Sequence, residues 1–215
     1  MAKIVPAILE AAHEGFLDKV SRVTKIPGVS RIQVDFGDGV FVPGKLLSVS
    51  EMDSLNPAYT WEAHLMIQEP QDFLDYQICG FKTIIVHFEA FKSVDNLKVA
   101  LKSIESFGME PAICIKPATP IAVLDPFLTS IKHFQIMSVE PGAQGQAFIE
   151  SSLKKVADFR KLCPTAIIEI DGGVNETNIK KVAEAGADLI IAGSAVVGQE
   201  NPAESFEKLT QIVNA

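Results

Sequence analysis

The chain has 215 residues, 47% of them apolar, with 19 Lys and Arg against 27 Asp and Glu and a formal net charge of −8. That apolar share suffices for one packed core and excludes a disordered chain. The acidic balance excludes general attraction to nucleic acid or to an anionic membrane surface, while a local pocket for one small anion stays compatible with it. Pro, Gly or a charge interrupts every apolar run short of the roughly 18 residues that a bilayer span needs. The first nine residues lack a secretory core and cleavage site, so no membrane segment and a cytoplasmic location are expected. Cys79, Cys114 and Cys163 are odd in number and form no CxxC, so they read as small core residues.

Along the chain, short β-branched or aliphatic runs alternate with helical patterns, the rhythm of repeated βα units and a parallel sheet. Eight strands are expected at 4–8, 31–36, 60–66, 83–88, 111–116, 133–138, 166–171 and 188–192. Helical patterns lie between them at 73–79, 94–107, 153–162 and 179–185, with Gly108 and Gly186 closing two of them. Asn175 or Thr177 is expected to cap the helix that follows the seventh strand. No linker, charge block or repeat divides the chain, so residues 1–215 are read as one domain, a (β/α)8 TIM barrel, with a doubly wound open sheet as the competitor.

Successive strand residues face opposite sides, and a barrel strand presents one side to the lumen and the other to the helices. In the second strand Ile32, Val34 and Phe36 oppose Gln33 and Asp35. In the third, Ala63 and Leu65 oppose Glu62, His64 and Met66. In the seventh, Ile168 and Ile170 oppose Glu169 and Asp171. Buried polar groups are costly unless paired, metal-bound or used. The convergence of Asp35, His64 and Asp171 at strand ends therefore points to a site at the carboxyl end of a barrel, where a satisfied polar network is the simpler alternative. Three glycine-rich turns follow strands six, seven and eight: Glu140-Pro141-Gly142-Ala143-Gln144-Gly145-Gln146, Asp171-Gly172-Gly173-Val174 and Ala192-Gly193-Ser194-Ala195. Glycine lets backbone N–H groups approach an anion, and barrels commonly hold a substrate phosphate at this position.

These residues, with Val34-Asp35-Phe36-Gly37-Asp38-Gly39, Ala63-His64-Leu65-Met66, Val86-His87-Phe88-Glu89-Ala90, Lys116-Pro117-Ala118-Thr119-Pro120 and Met137-Ser138-Val139-Glu140-Pro141-Gly142, resemble the ribulose-phosphate 3-epimerase family over nearly the whole chain. The resemblance implies a (β/α)8 barrel, usually a homo-oligomer, which interconverts D-ribulose 5-phosphate and D-xylulose 5-phosphate in pentose phosphate metabolism through a metal-stabilised enediolate. On that resemblance Asp35 and Asp171 are the acid/base pair. Together with His64 they are also ligands of one divalent ion, zinc, iron, manganese or cobalt. Met66 and Met137 line the site, and Gly142, Gly145, Gly172, Gly173, Gly193 and Ser194 form the phosphate grip for a small phosphorylated ketose.

The departures from the family pattern concentrate in this region. Gln33 stands where the family has a fourth, histidine ligand, and an amide is a poor zinc ligand. Ala7 replaces a serine, Gly37 a methionine, Lys116 an asparagine, and Ala143-Gln144 the usual Phe-Gly. These changes keep two alternatives in play: a related ketohexose 6-phosphate epimerase, such as one for allulose 6-phosphate, and a family member that only binds sugar phosphate. Lys116 is read as a rim lysine lining the site, ahead of a Schiff-base role. A decarboxylase is disfavoured because Asp35-Phe36-Gly37-Asp38 lacks the lysine of an Asp-x-Lys-x-x-Asp pattern. His87 shares the parity of Ile85 and approaches the lumen, whereas His13 and His133 read as surface or packing residues and Trp61 as barrel packing.

Overall fold

A computed structural model describes residues 2–214. Eight parallel strands close into a barrel in sequence order: β1 (Lys3–Leu9), β2 (Arg31–Gly37), β3 (Thr60–Met66), β4 (Thr83–His87), β5 (Glu110–Ile115), β6 (His133–Met137), β7 (Ile167–Asp171) and β8 (Leu189–Ala192). Each expected strand ends within one residue of its observed counterpart, because the aliphatic runs that define it are bounded by Gly, Pro or charged residues. Among the described residues six α-helices cover the barrel: α1 (His13–Val23), α2 (Leu74–Cys79), α3 (Val94–Ser106), α4 (Ser151–Leu162), α5 (Ile179–Glu184) and α6 (Pro202–Asn214).

Two units have no α-helix. Residues 38–59, after β2, form a long loop with a single 3₁₀ turn at Val49–Glu51, and β5 is followed by a 3₁₀ segment, Ile121–Phe127. The Pro126 ring inside that segment would clash with the carbonyl four residues back in an α-helix, which favours the tighter form. Asn175 acts one turn earlier than a cap: its side chain accepts from the Thr177 N–H at 2.9 Å, and Asn178 stands at the cap of α5.

The outward strand residues Ile32, Val34, Phe36, Leu65, Ile84, Val86, Ile113, Phe134, Ile136, Ile168, Ile170 and Ile190 pack against Phe16, Val23, Leu97, Leu101, Ile104, Val156, Phe159, Val182 and Leu209 of the helices, forming one continuous core. The lumen is partitioned differently. Val5, Ala7, Leu189 and Ile191 form one apolar arc, and Ile85, Ala112, Cys114, Met137 and Val139 form another. The polar side chains of β2, β3, β6 and β7 fill the space left by these arcs, and Gln33, Glu62, His64, His133, Gln135 and Glu169 are all buried.

Candidate active site

The polar wall of the lumen has two tiers. At the amino end of the strands, Arg31 reaches the buried Glu62 at 2.5 Å, and His133 Nε2 lies 2.9 Å from Glu169 Oε1 and its Nδ1 3.5 Å from Glu110 Oε2. His133 is therefore a fully buried ionic group, which corrects its reading as a surface or packing residue. Burial opposes its charge, yet the Glu169 and Glu110 carboxylates outweigh burial and push its pKa up to about 10. Burial, together with repulsion from Glu169, pushes Glu62 up to about 8 against the pull of Arg31.

At the carboxyl end the strand register places Asp35 beside His64 and Met137 beside Asp171. His64 Nδ1 donates to Asp35 Oδ1 at 3.0 Å and lies 3.4 Å from Asp171 Oδ2, which brings the three expected residues together. Gln33 lies just beneath them, fully buried, and its amide nitrogen bridges the carboxylates at 2.9 Å to Asp35 Oδ1 and 3.1 Å to Asp171 Oδ2. Gln135 donates to the same Asp171 oxygen at 3.1 Å. Nothing in the residue pattern flagged Gln135, whose inward parity in β6 was the available signal. Burial and the neighbouring Asp35 push Asp171 up to about 7, although His64 and the Gln33 amide pull the other way. Burial works against the charge of His64, but the hydrogen bond and charge of Asp35 and the charge of Asp171 raise its pKa overall.

Above this cluster a pocket is walled by Asp35, His64, Met66, Met137 and Asp171 and by the glycine turns that carry Gly142, Gly145, Gly172, Gly173, Gly193 and Ser194. Gly172 has φ +114°, and a Cβ there would stand 2.3 Å from Val139 Cγ2; at Gly173, φ +65°, it would meet the Phe148 backbone at 2.7 Å. Only glycine lets the chain turn this tightly after Asp171. The Gln144 amide, close above Gly193, reaches toward the Ala7 carbonyl at 3.4 Å. The space as it stands is about 50 Å³. A larger groove of about 940 Å³ lies between the start of β1 and α6, away from these groups.

Lys116, expected to line the site, stands apart from this pocket: its ammonium sits 4.1 Å from the centre of the Phe41 ring. Phe41 belongs to the loop after β2, which Asp38 organises by accepting from the Val40, Phe41 and Gln68 N–H groups at 2.8 Å each. Gly37 has a packing reason, because a Cβ there would approach Val42 Cγ2 to 3.1 Å and Leu46 Cγ to 3.2 Å.

A closed parallel barrel with a histidine and two carboxylates at the carboxyl ends of its strands is the architecture of a (β/α)8-barrel enzyme. Solved structures share this fold: a 3-hexulose-6-phosphate synthase at TM-score 0.73 (18% identity, 98% of this chain and 99% of that one) and KGPDC from Streptococcus mutans, also at 0.73 (16% identity, 100% and 98%). The model of the ribulose-phosphate 3 epimerase family matches residues 3–197, and the chain belongs to that family. Its relatives include ribulose-phosphate 3-epimerases of Mycobacterium tuberculosis strain H37Rv (36% identity, 99% of this chain and 93% of the relative) and Bacillus subtilis (30%, 97% and 98%). The chloroplastic ribulose-5-phosphate-3-epimerase of Arabidopsis thaliana is 36% identical over 95% of this chain and 74% of its own length. The family is one of isomerases, and the relatives support epimerase activity. Among the described residues no helix is long and apolar enough to cross a membrane.

Proposed function

We propose that the protein interconverts D-ribulose 5-phosphate and D-xylulose 5-phosphate, with Asp35 and Asp171 exchanging the C3 proton across the two faces of a planar intermediate. The observation that carries this reading is the meeting of two carboxylates at one buried histidine, with Asp171 held near a pKa of about 7. Inversion at carbon needs a base on one face and an acid on the other. A carboxyl near 7 is present in both protonation states at neutral pH, so Asp171 serves in either direction and Asp35 is its counterpart. As the C3–H bond breaks, its electron pair forms the C2–C3 double bond and the C2 carbonyl oxygen becomes negative. Protonation of C3 from the opposite face reverses the flow. His64 holds Asp35 through its Nδ1–H, while Gln33 and Gln135 fix the position of Asp171 Oδ2.

The residues fit a divalent ion. Asp35, His64 and Asp171 offer ligand atoms that all lie within 4.8 Å of one another. The Gln33 carbonyl oxygen is buried without a hydrogen-bond partner, so rotating that amide would present it to the carboxylates as a fourth, oxygen donor. Such a donor set suits manganese, iron or cobalt better than it suits zinc. When bound, the ion would polarise the C2 carbonyl and stabilise the negative charge that develops there. The glycine turns would take the phosphate. Because about 50 Å³ is too little for a ketose phosphate, the loop bearing Gln144 has to withdraw to admit it. A cytoplasmic homo-oligomer acting on a small phosphorylated ketose completes the reading.

The test is NMR of D-ribulose 5-phosphate in D2O with metal-supplied protein. Deuterium should enter C3 and D-xylulose 5-phosphate should appear, and Asp35→Asn or Asp171→Asn should lower the rate by about 10²–10⁴. Neither exchange nor product from folded, metal-loaded protein would overturn the assignment.

A further inference from the structure

His64 has a second nitrogen that the epimerase chemistry does not use. Its Nε2 faces the Nε2 of His87 at 2.9 Å, and both rings are buried. The Glu89 carboxylate lies behind the His87 ring. That carboxylate accepts the Lys116 N–H at 2.8 Å and the Thr119 hydroxyl through one oxygen, and turns the other to His87 Nδ1 at 3.5 Å. At 3.5 Å no hydrogen bond forms, but the Glu89 charge favours the His87 proton on Nδ1 and so leaves the Nε2 lone pair facing His64. Cys114, fully buried on β5 directly beside His87 in the register, completes a trio in which one donor atom per residue lies within 4.8 Å of the others.

We propose that His64, His87 and Cys114 form a second metal position, selective for thiophilic cations, beside the carboxylate cluster and more fully buried than it. The two nitrogens now share one proton, and a metal ion would take its place. Binding would release that proton and the Cys114 thiol proton and form two metal–nitrogen bonds and one metal–sulfur bond. Metal–nitrogen bonds near 2.0–2.1 Å at a tetrahedral angle set the two nitrogens about 3.3 Å apart. The present 2.9 Å therefore has to open by only about 0.4 Å. Two imidazoles and a thiolate select zinc, cadmium or copper(I) over the oxygen-preferring ions that suit Asp35 and Asp171. The two positions share His64 through opposite ring nitrogens, so a thiophilic ion in the second one would anchor this ring through Nε2. The assignment stands on these three side chains whether or not the epimerase reading holds.

The experiment is titration of the metal-free protein with Co(II), followed by displacement with Cd(II), reading the thiolate-to-cobalt charge-transfer band in the near ultraviolet. The band should appear by the second bound ion, because the carboxylate cluster also accepts cobalt, and vanish in Cys114→Ala and in the near-isosteric Cys114→Ser. It should persist in Asp171→Asn and be lost on adding Cd(II). Absence of the band in folded wild-type protein would overturn the proposal. So would its survival in both Cys114 variants, which would assign the sulfur to Cys79 or Cys163, or its loss in folded Asp171→Asn. C3 exchange is measured separately, so failure of this site is distinguishable from failure of the epimerase assignment.

Discussion

Glu62→Gln should flatten the pH dependence of stability. Glu62 is completely buried at the amino end of the barrel, with Arg31 at 2.5 Å, and its pKa rises from the ordinary 4.5 to about 8, first from burial and then from Glu169. In the unfolded chain this proton leaves near pH 4.5, whereas in the fold it stays until about pH 8. The native state then binds more protons than the unfolded state, so stability falls as pH rises through that window, at up to about 1.4 kcal/mol per pH unit. Between pH 5 and 8 the loss from this group amounts to roughly 3 kcal/mol. Glutamine keeps the volume and an oxygen for Arg31 but has no proton to release. Urea denaturation of both proteins at pH 5 and pH 8 should therefore show wild type losing roughly 3 kcal/mol more than Glu62→Gln across the interval. His133 contributes in the same direction: its stabilisation is full below pH 6.5 and is lost as pH rises through about 10, and the variant retains that loss. Equal changes in the two proteins would refute the claim that Glu62 is protonated in the fold at neutral pH.

Gln33→His should raise Zn(II) affinity roughly tenfold or more, measured by competition against a chromophoric chelator, because an imidazole replaces an amide beside three ligands; unchanged affinity would show that position 33 does not contribute a donor. Gly172→Ala forces φ +114° on a residue with a Cβ 2.3 Å from Val139, and should cost about 2–4 kcal/mol in denaturant midpoint analysis. Gly44→Ala has φ +90° with nothing within 4 Å and should cost only about 1 kcal/mol, so equal losses would show that the Val139 contact relaxes freely.

Strand parity alone puts Gln33, Asp35, His64 and Asp171 on the lumen side, because alternation within a strand is a local property fixed by the pleat. The same alternation places Gln135 and His133 there too, yet neither stood out, since nothing near them in sequence reveals what they face. Lys116 looked like a site residue from its place at a strand end, but the loop after β2 brings Phe41 beneath its ammonium, and the conformation of that loop is set by Asp38 and its distant partner Gln68.

The sequence by itself determined the eight strands, the polar side chains that share one side of them and the glycine turns that follow the last three, because hydrophobic period and turn chemistry are written in consecutive residues. Only the tertiary structure decided which inward groups meet. Residues 33 and 171, and 62 and 169, come together across the lumen through barrel closure, and 64 and 87 meet through the register of the neighbouring strands β3 and β4. Their protonation follows from those distances and from burial, neither of which any single segment of the chain encodes.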